Sequence, residues 1–256
     1  MNVVSLIDRA PRGLASRLGS RSRTARVLRP ALNRILPRAD AEVTVRSGIA
    51  RGLRIVIEPR REKFYWSGAF EEAVQGALAD ELGPGQTFWD VGAHAGFFSL
   101  AAARLVGPSG RVVSFEPAPA NRARLERAIE SNGFGNIEVE PRALAGADED
   151  GFLHAHGSTS MWTLVPALGG AGGVAVTCAT IDTLASELGA PDLIKLDVEG
   201  AELDVLAGGV RLLESRRTKV ILELPGNEAP TELRALLPSY TARPLGSRHW
   251  LLEAIR

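Results

Sequence analysis

The sequence predicts an α/β protein built on a parallel sheet with crossover helices, and three observations carry that expectation. From residue 86 onward, short β-branched apolar runs alternate with helical periodicities, with turn residues at each junction, which is how parallel strands joined by helices are written. The apolar run Thr87 to Val91 opens directly into a glycine turn, Gly92-Ala93-His94-Ala95-Gly96, and then into a helical pattern. Apolar residues make up 45% and charged residues 23% of 256 residues, enough to build one substantial core and too apolar for whole-chain disorder.

Residues 1 to 38 read as one or two helices broken at Pro11 and Pro30, because proline removes a backbone donor and crowds the preceding turn. Val43 to Val45 and Leu53 to Ile57, separated by Gly48 and Gly52, read as a hairpin. Phe70, Val74, Ala77, Leu78 and Leu82 recur every three to four residues, so a helix is expected over Ala69 to Leu82. The alternation then runs Thr87 to Val91 (strand), Gly96 to Leu105 (helix), Arg111 to Phe115 (strand), Pro119 to Ser131 (helix) and Ile137 to Val139 (strand). Between 145 and 178 the rhythm fails around Gly169-Gly170-Ala171-Gly172-Gly173, and an irregular insertion with short strands is expected. It returns with Ile181 to Leu188 (helix), Leu193 to Val198 (strand), Ala201 to Leu206 and Val210 to Glu214 (helices), Val220 to Leu224 (strand) and Thr231 to Leu237 (helix). Tyr240 to Leu245 and Trp250 to Ile255 close the chain as a strand pair.

Thirty basic residues balance thirty acidic ones, but not evenly. Residues 1–40 hold nine arginines against Asp8 and Asp40, so a basic helical extension precedes a domain, 41–256, that carries the compensating acidic excess. An acidic domain argues against nucleic acid as a partner. A single cysteine, Cys178, permits no internal disulfide, and no apolar run approaches the roughly 20 residues of a membrane span. A cytoplasmic location is the expectation, with the basic arm the one segment suited to peripheral membrane contact.

Three motifs carry chemistry. In Asp90-Val91-Gly92-Ala93-His94-Ala95-Gly96-Phe97 the glycines allow a tight strand-to-helix turn, but His94 occupies the place where a dinucleotide fingerprint has its middle glycine. With Asp90 ahead of it, the turn suits an ammonium- or sulfonium-bearing cofactor better than a pyrophosphate. Glu116, in Phe115-Glu116-Pro117 at the end of the next strand, is placed to accept the hydroxyls of a ribose. The third motif is Lys195-Leu196-Asp197-Val198-Glu199-Gly200-Ala201-Glu202, where period two sets Lys195, Asp197 and Glu199 on one side of a strand end. Charges so placed are costly to bury unless they pair or act.

In this order the motifs resemble the FkbM family of S-adenosylmethionine-dependent methyltransferases, as do Tyr65-Trp66-Ser67-Gly68-Ala69-Phe70-Glu71-Glu72, Ile181-Asp182-Thr183-Leu184 and Glu223. The resemblance runs from about Gly48 to the C-terminus, with His94 as a departure where the family usually has Asn. It implies a class I methyltransferase (Rossmann-like) fold, a seven-stranded, mostly parallel sheet with helices on both faces. It also implies S-adenosyl-L-methionine as cofactor and methyl transfer to a hydroxyl of a sugar, glycan or secondary metabolite. By position, Asp90, Gly92, Ala93, His94, Gly96 and Phe97 would lie along the methionine moiety, Glu116 and Pro117 at the ribose, Ala143 near the adenine and Asp197 beside the reacting methyl.

Proton removal from a weakly nucleophilic hydroxyl then falls to Asp197 or Glu199, with Lys195 holding the carboxylate or the acceptor oxygen and Glu223 as a further carboxylate at a neighbouring strand end. No metal ligands are assigned. His154 and His156 share a strand face without a nearby carboxylate, and Glu223-Leu224 lacks the Asp-Asn pair of metal-dependent catechol-type methyltransferases, so metal-independent transfer is expected. The alternatives are an RNA or other N-methyltransferase on the same fold, although the base-stacking Pro-Pro-aromatic run is missing after Asp197, and a non-catalytic cofactor-binding module. A nicotinamide dehydrogenase is disfavoured by the absent middle glycine.

Overall fold

The computed structural model describes residues 34, 36–155, 162–166, 173–198, 200–224 and 231–255. The helices expected within residues 1–38 lie almost wholly outside these, as do Glu199 and most of the glycine-rich stretch.

A short antiparallel hairpin comes first, β1 (Ala41–Thr44) against β2 (Arg54–Ile57). Two helices follow, α1 (Lys63–Ser67), which the periodicity does not predict, and α2 (Glu72–Glu81), within the helix predicted over 69–82. The end of α1 has a local cause. Gly68 ends α1 in the left-handed region at φ 76°, and a Cβ there would stand 2.1 Å from the Ser47 carbonyl oxygen, so only glycine lets the hairpin loop pack against the helix end.

The main sheet uses β3 (Thr87–Val91), β4 (Arg111–Phe115), β5 (Ile137–Glu140), β10 (Leu193–Leu196), β11 (Lys219–Glu223), β12 (Tyr240–Pro244) and β13 (His249–Ala254). Its order is β12-β13-β11-β10-β3-β4-β5. The run from β11 to β5 is parallel, and β13 enters antiparallel between β11 and β12. The expected terminal strand pair is therefore part of the main sheet. Between β5 and β10 the insertion forms its own four-stranded sheet, β6 (Ala143–Leu144), β7 (Asp150–Ala155), β8 (Trp162–Pro166) and β9 (Val174–Ala179), in the order β6-β9-β7-β8.

Alternation along the strands splits the core in two. Phe88, Val112, Leu193, Ile221 and Leu251 pack with the hairpin, with α1 and α2, and with α3 (Phe97–Val106). Trp89, Val113, Ile194, Val220 and Leu252 face the other way. There they meet α5 (Ile181–Leu188), α6 (Glu202–Ala207), α7 (Val210–Glu214) and α8 (Thr231–Leu236). The remaining helix, α4 (Pro119–Asn132), links β4 to β5 and packs on β2. Strand β10 ends at Leu196, two residues before the expected Val198, so Asp197 and Val198 sit just past the strand.

Gly68 and Gly52 offer a paired test, since both have positive φ but nothing lies within 4 Å of a Cβ placed at Gly52. Gly52→Ala should cost about 1–2 kcal/mol from backbone strain alone, whereas Gly68→Ala should cost about 1–3 kcal/mol more from overpacking against Ser47. Urea denaturation of the two variants measures the difference; equal losses would contradict the packing account.

Candidate functional site

A cavity of about 430 Å³ opens at the C-terminal ends of β3, β4, β10 and β11, the edge where open α/β sheets bind ligands. Its wall includes Gly92, Ala93, His94, Phe97, Glu116, Pro117, Ala143, Lys195, Asp197 and Glu223. Asp90 and Gly96, also expected along a cofactor, do not line it. Asp90 is buried beneath, where its Oδ2 accepts from Ser99 Oγ at 2.5 Å, and Ser114 Oγ in turn donates to Ser99 Oγ.

The glycine turn is shaped by the protein's own packing. A Cβ at Gly92 would come within 2.0 Å of the Asp197 carbonyl oxygen, and one at Gly96 within 2.3 Å of Leu125 Cδ1. The N–H groups of Gly92 and Ala93 both donate to Phe115 O, and that of His94 donates to Glu116 Oε2 at 2.7 Å. The first three amides of the turn are thus committed internally and do not form an anion cradle. Glu116 Oε1 also accepts from Ala118 N and, at 3.4 Å, from Asn121 Nδ2. Three donors against the roughly four lone-pair positions of a carboxylate leave capacity for a ligand hydroxyl. Burial raises the Glu116 pKa above its ordinary value, and these hydrogen bonds oppose the rise.

A second buried network holds the other side of the turn. Arg124 Nη1 donates to Glu62 Oε2 at 2.8 Å and its Nη2 donates to Asn121 Oδ1 at 2.7 Å. His94 sits at φ 52° with Nε2 3.4 Å from Glu62 Oε1 and Nδ1 3.2 Å from Tyr65 Oη. Burial raises the Glu62 pKa and Arg124 opposes it. None of Glu62, Tyr65 or Arg124 was singled out as a site residue by sequence patterning; each comes from a segment remote from the turn. Tyr65, Phe70, Phe97 and Phe98 form an aromatic wall beside it, with Tyr65 stacked on Phe97 at 5.5 Å. Leu153 and Leu164 of the insertion add an apolar side.

At the far end, Lys195 Nζ donates to Asp197 Oδ2 at 3.0 Å and lies 5.2 Å from the Phe98 ring centre. Burial works against the ammonium, but Asp197, Asp90 and Glu71 together hold its pKa above the usual lysine range. For Asp197 burial raises the pKa, and Lys195 with the Glu223 hydrogen bond outweighs it, leaving the group more acidic than usual. Burial and that same hydrogen bond push Glu223 up to about 8, so at neutral pH Glu223 keeps its proton and donates to the Asp197 carboxylate. Arg248 Nη2 stands 2.5 Å from Glu223 Oε1. The sequence reading assigns no metal ligands; among the described residues Glu71, Glu223 and His249 each place one ligand atom within 4.8 Å of the others. His154 lies on β7 and His156 outside the described residues.

A nucleoside cofactor without a pyrophosphate fits this edge, because the turn's first amides are spent and the buried acid next door keeps room for a hydroxyl. With one antiparallel strand set between the last two positions of a parallel sheet, the fold is that of the class I methyltransferases. Residues 90–244, more than half of the chain, match the Methyltransferase FkbM domain, and the chain belongs to that family. It is an S-adenosyl-L-methionine-dependent methyltransferase. It is similar to the hexuronic acid methyltransferase AglP of Haloferax volcanii, with 27% identity over 182 residues covering 65% of this chain and 67% of the relative. Among solved structures, methyltransferase FkbM from Methylobacillus flagellatus KT has 18% identity and a TM-score of 0.45 over 74% of this chain. The chain spans about half of that protein's length, 52%. Aeropyrum pernix fibrillarin, solved with S-adenosyl-L-methionine bound, has 14% identity and a TM-score of 0.44, over 71% of this chain and 74% of its own.

The Glu62–Arg124 pair is nearly inaccessible, whereas Arg54–Glu42 is a surface pair at 3.9 Å. Arg124→Met should therefore cost about 3–5 kcal/mol, because it strands a buried carboxylate, while Arg54→Met should cost at most about 1 kcal/mol. Urea unfolding distinguishes them.

Proposed function

We propose that the protein transfers the methyl group of S-adenosyl-L-methionine to a hydroxyl oxygen of a sugar, in a glycan or a glycosylated secondary metabolite. The observation that carries this reading is the Lys195–Asp197 pair in the wall of the same cavity as Glu116 and the glycine turn. The cofactor supplies an electrophilic methyl on a sulfonium, so the protein has to align the acceptor and take up its proton.

In this reading Gly92, Ala93, His94 and Phe97 flank the methionine part, Glu116 accepts the ribose hydroxyls, and Pro117 and Ala143 bound the base. Asp90 and Gly96 act from beneath, shaping the turn. Asp197 accepts the hydroxyl proton while Lys195 fixes its orientation. Glu199 is a second candidate base, and Glu223 a group that orients Asp197. Nothing in this proton transfer calls for a metal ion. The relative's hexuronic acid suggests the acceptor class, supported by the guanidinium groups of Arg61 and Arg248 at the cavity wall, suited to a sugar carboxylate. Glu71, Asp197 and Glu223 at the acceptor end disfavour a polyphosphate such as RNA. The same proposal includes a domain over 41–256 preceded by a basic extension over 1–40, and a cytoplasmic setting that suits the buried free thiol of Cys178.

Asp197→Asn is expected to lower kcat by about 10²–10⁴-fold on a uronic acid-containing glycan with cofactor affinity preserved. Product analysis by NMR should place the new methyl on a hydroxyl oxygen; a methyl ester or N-methyl product would sink the hydroxyl assignment. Glu116→Gln should instead weaken cofactor binding in calorimetry, by about 1.5–3 kcal/mol. Because burial raises the Glu116 pKa, its carboxylate protonates earlier as pH falls, so affinity should decline on acidification before an ordinary carboxylate would titrate. Glu116→Gln should flatten that decline.

A further inference from the structure

Beside the acceptor end of the cavity stand three groups, of which the methyl-transfer scheme uses only Glu223, to orient Asp197. Glu71 precedes α2, Glu223 ends β11, and His249 opens β13 directly across the ladder from Glu223. His249 is 8% exposed, and its Nε2 is buried without a hydrogen-bond partner. That nitrogen stands 3.5 Å from Glu71 Oε2, which is also buried and without a hydrogen-bond partner. Two ligands each about 2.1 Å from one tetrahedral ion lie about 3.4 Å apart. The pair therefore already has the spacing of one edge of a coordination shell, and the Glu223 carboxylate lies within 4.8 Å as a third member.

Charge points the same way. Four carboxylates, those of Glu71, Asp90, Asp197 and Glu223, converge here against the cations Lys195 and Arg248. Displacement of the Glu223 proton by a bound cation would leave four carboxylates against two cations, a surplus that matches one divalent ion. Arg248 engages one oxygen of Glu223 from a side chain that is 60% exposed, so it can swing outward and leave the carboxylate to the ion.

We propose that Glu71, Glu223 and His249 bind a divalent first-row transition cation, the imidazole favouring Zn²⁺ or Mn²⁺ over Mg²⁺. The sequence hides this set because its members lie far apart in the chain, and the one closely spaced histidine pair in the sequence is His154 and His156. The site shares Glu223 with the sugar-hydroxyl reading but does not rest on it, and no step of the transfer passes through the ion.

The test is calorimetric titration of chelator-treated full-length protein with MnCl₂ and, separately, ZnCl₂. One saturable site per chain is expected, with affinity reduced about tenfold or more in both His249→Ala and Glu71→Gln, while cofactor affinity, measured in the same samples, stays at the unmutated value as the check on folding. No saturable binding, or undiminished binding in both variants, overturns the site. Should either variant fail to fold, NMR of the unmutated protein decides: Mn²⁺ should broaden the His249 imidazole signal first, and an unbroadened signal at saturation overturns the proposal. Cation binding without an O-methylated product would remove the sugar-hydroxyl reading and keep this site; the reverse result would remove only the site.

Discussion

A single buried ammonium organises the sheet edge that carries the cavity. Lys195 is 3% exposed, on the face of the sheet shared with Phe88 and Asp90, and the ladder pairs it with Asp90 on β3. Desolvation would favour its neutral form, so its charge survives only because carboxylates reach it from several directions: Asp197 from its own chain segment, Asp90 from the adjacent strand and Glu71 from the segment before α2. The three carboxylates belong to different elements. Asp197 accepts from Lys195 just past the strand end, Asp90 is tied through Ser99 to α3, and Glu71 stands at the N-terminus of α2.

The glycine turn is wedged between this ammonium cluster and the Glu62–Arg124–His94 network. Close approach of the Asp197 carbonyl to Gly92 joins the turn to the acceptor end, while His94 N–H joins it to Glu116. In the proposed function, cofactor edge and acceptor edge are thus two sides of one backbone segment. Such pre-organisation is what transfer from a preformed electrophile demands, since alignment contributes more than acid or base strength. It also explains why glycine is needed at position 92: the constraint is the neighbouring strand end, and close approach by a ligand is not required to account for it.

Periodicity made the strand and helix order legible because burial on both faces of a parallel sheet writes itself locally, as in Phe88 and Trp89 facing opposite cores. Where the reading departs from the structure, a long-range contact intervenes. The expected helix over 69–82 begins only at Glu72, after Glu71 in the left-handed region and with Gln75 Nε2 donating to Gly68 O and Phe70 O, and the insertion becomes a separate four-stranded sheet through pairings such as Ala143 with Cys178 that no local pattern announces.

Sequence alone determined the α/β class, the turn after β3, Glu116, and the Lys195–Asp197 spacing, all of which depend on residues within a few positions of each other. It could not rank Asp90 beneath the cavity and Glu116 at its wall, since both end or nearly end a strand and both read as acids beside a turn. The tertiary structure alone decided that Glu71, Glu223, Arg248 and His249 meet, and that Glu62, Arg124 and His94 form a second buried network. The reason is geometric: side-chain period reports which face a residue takes, but which strand ends share an edge is set by sheet order and register, and β13 reaches β11 only by entering the sheet antiparallel.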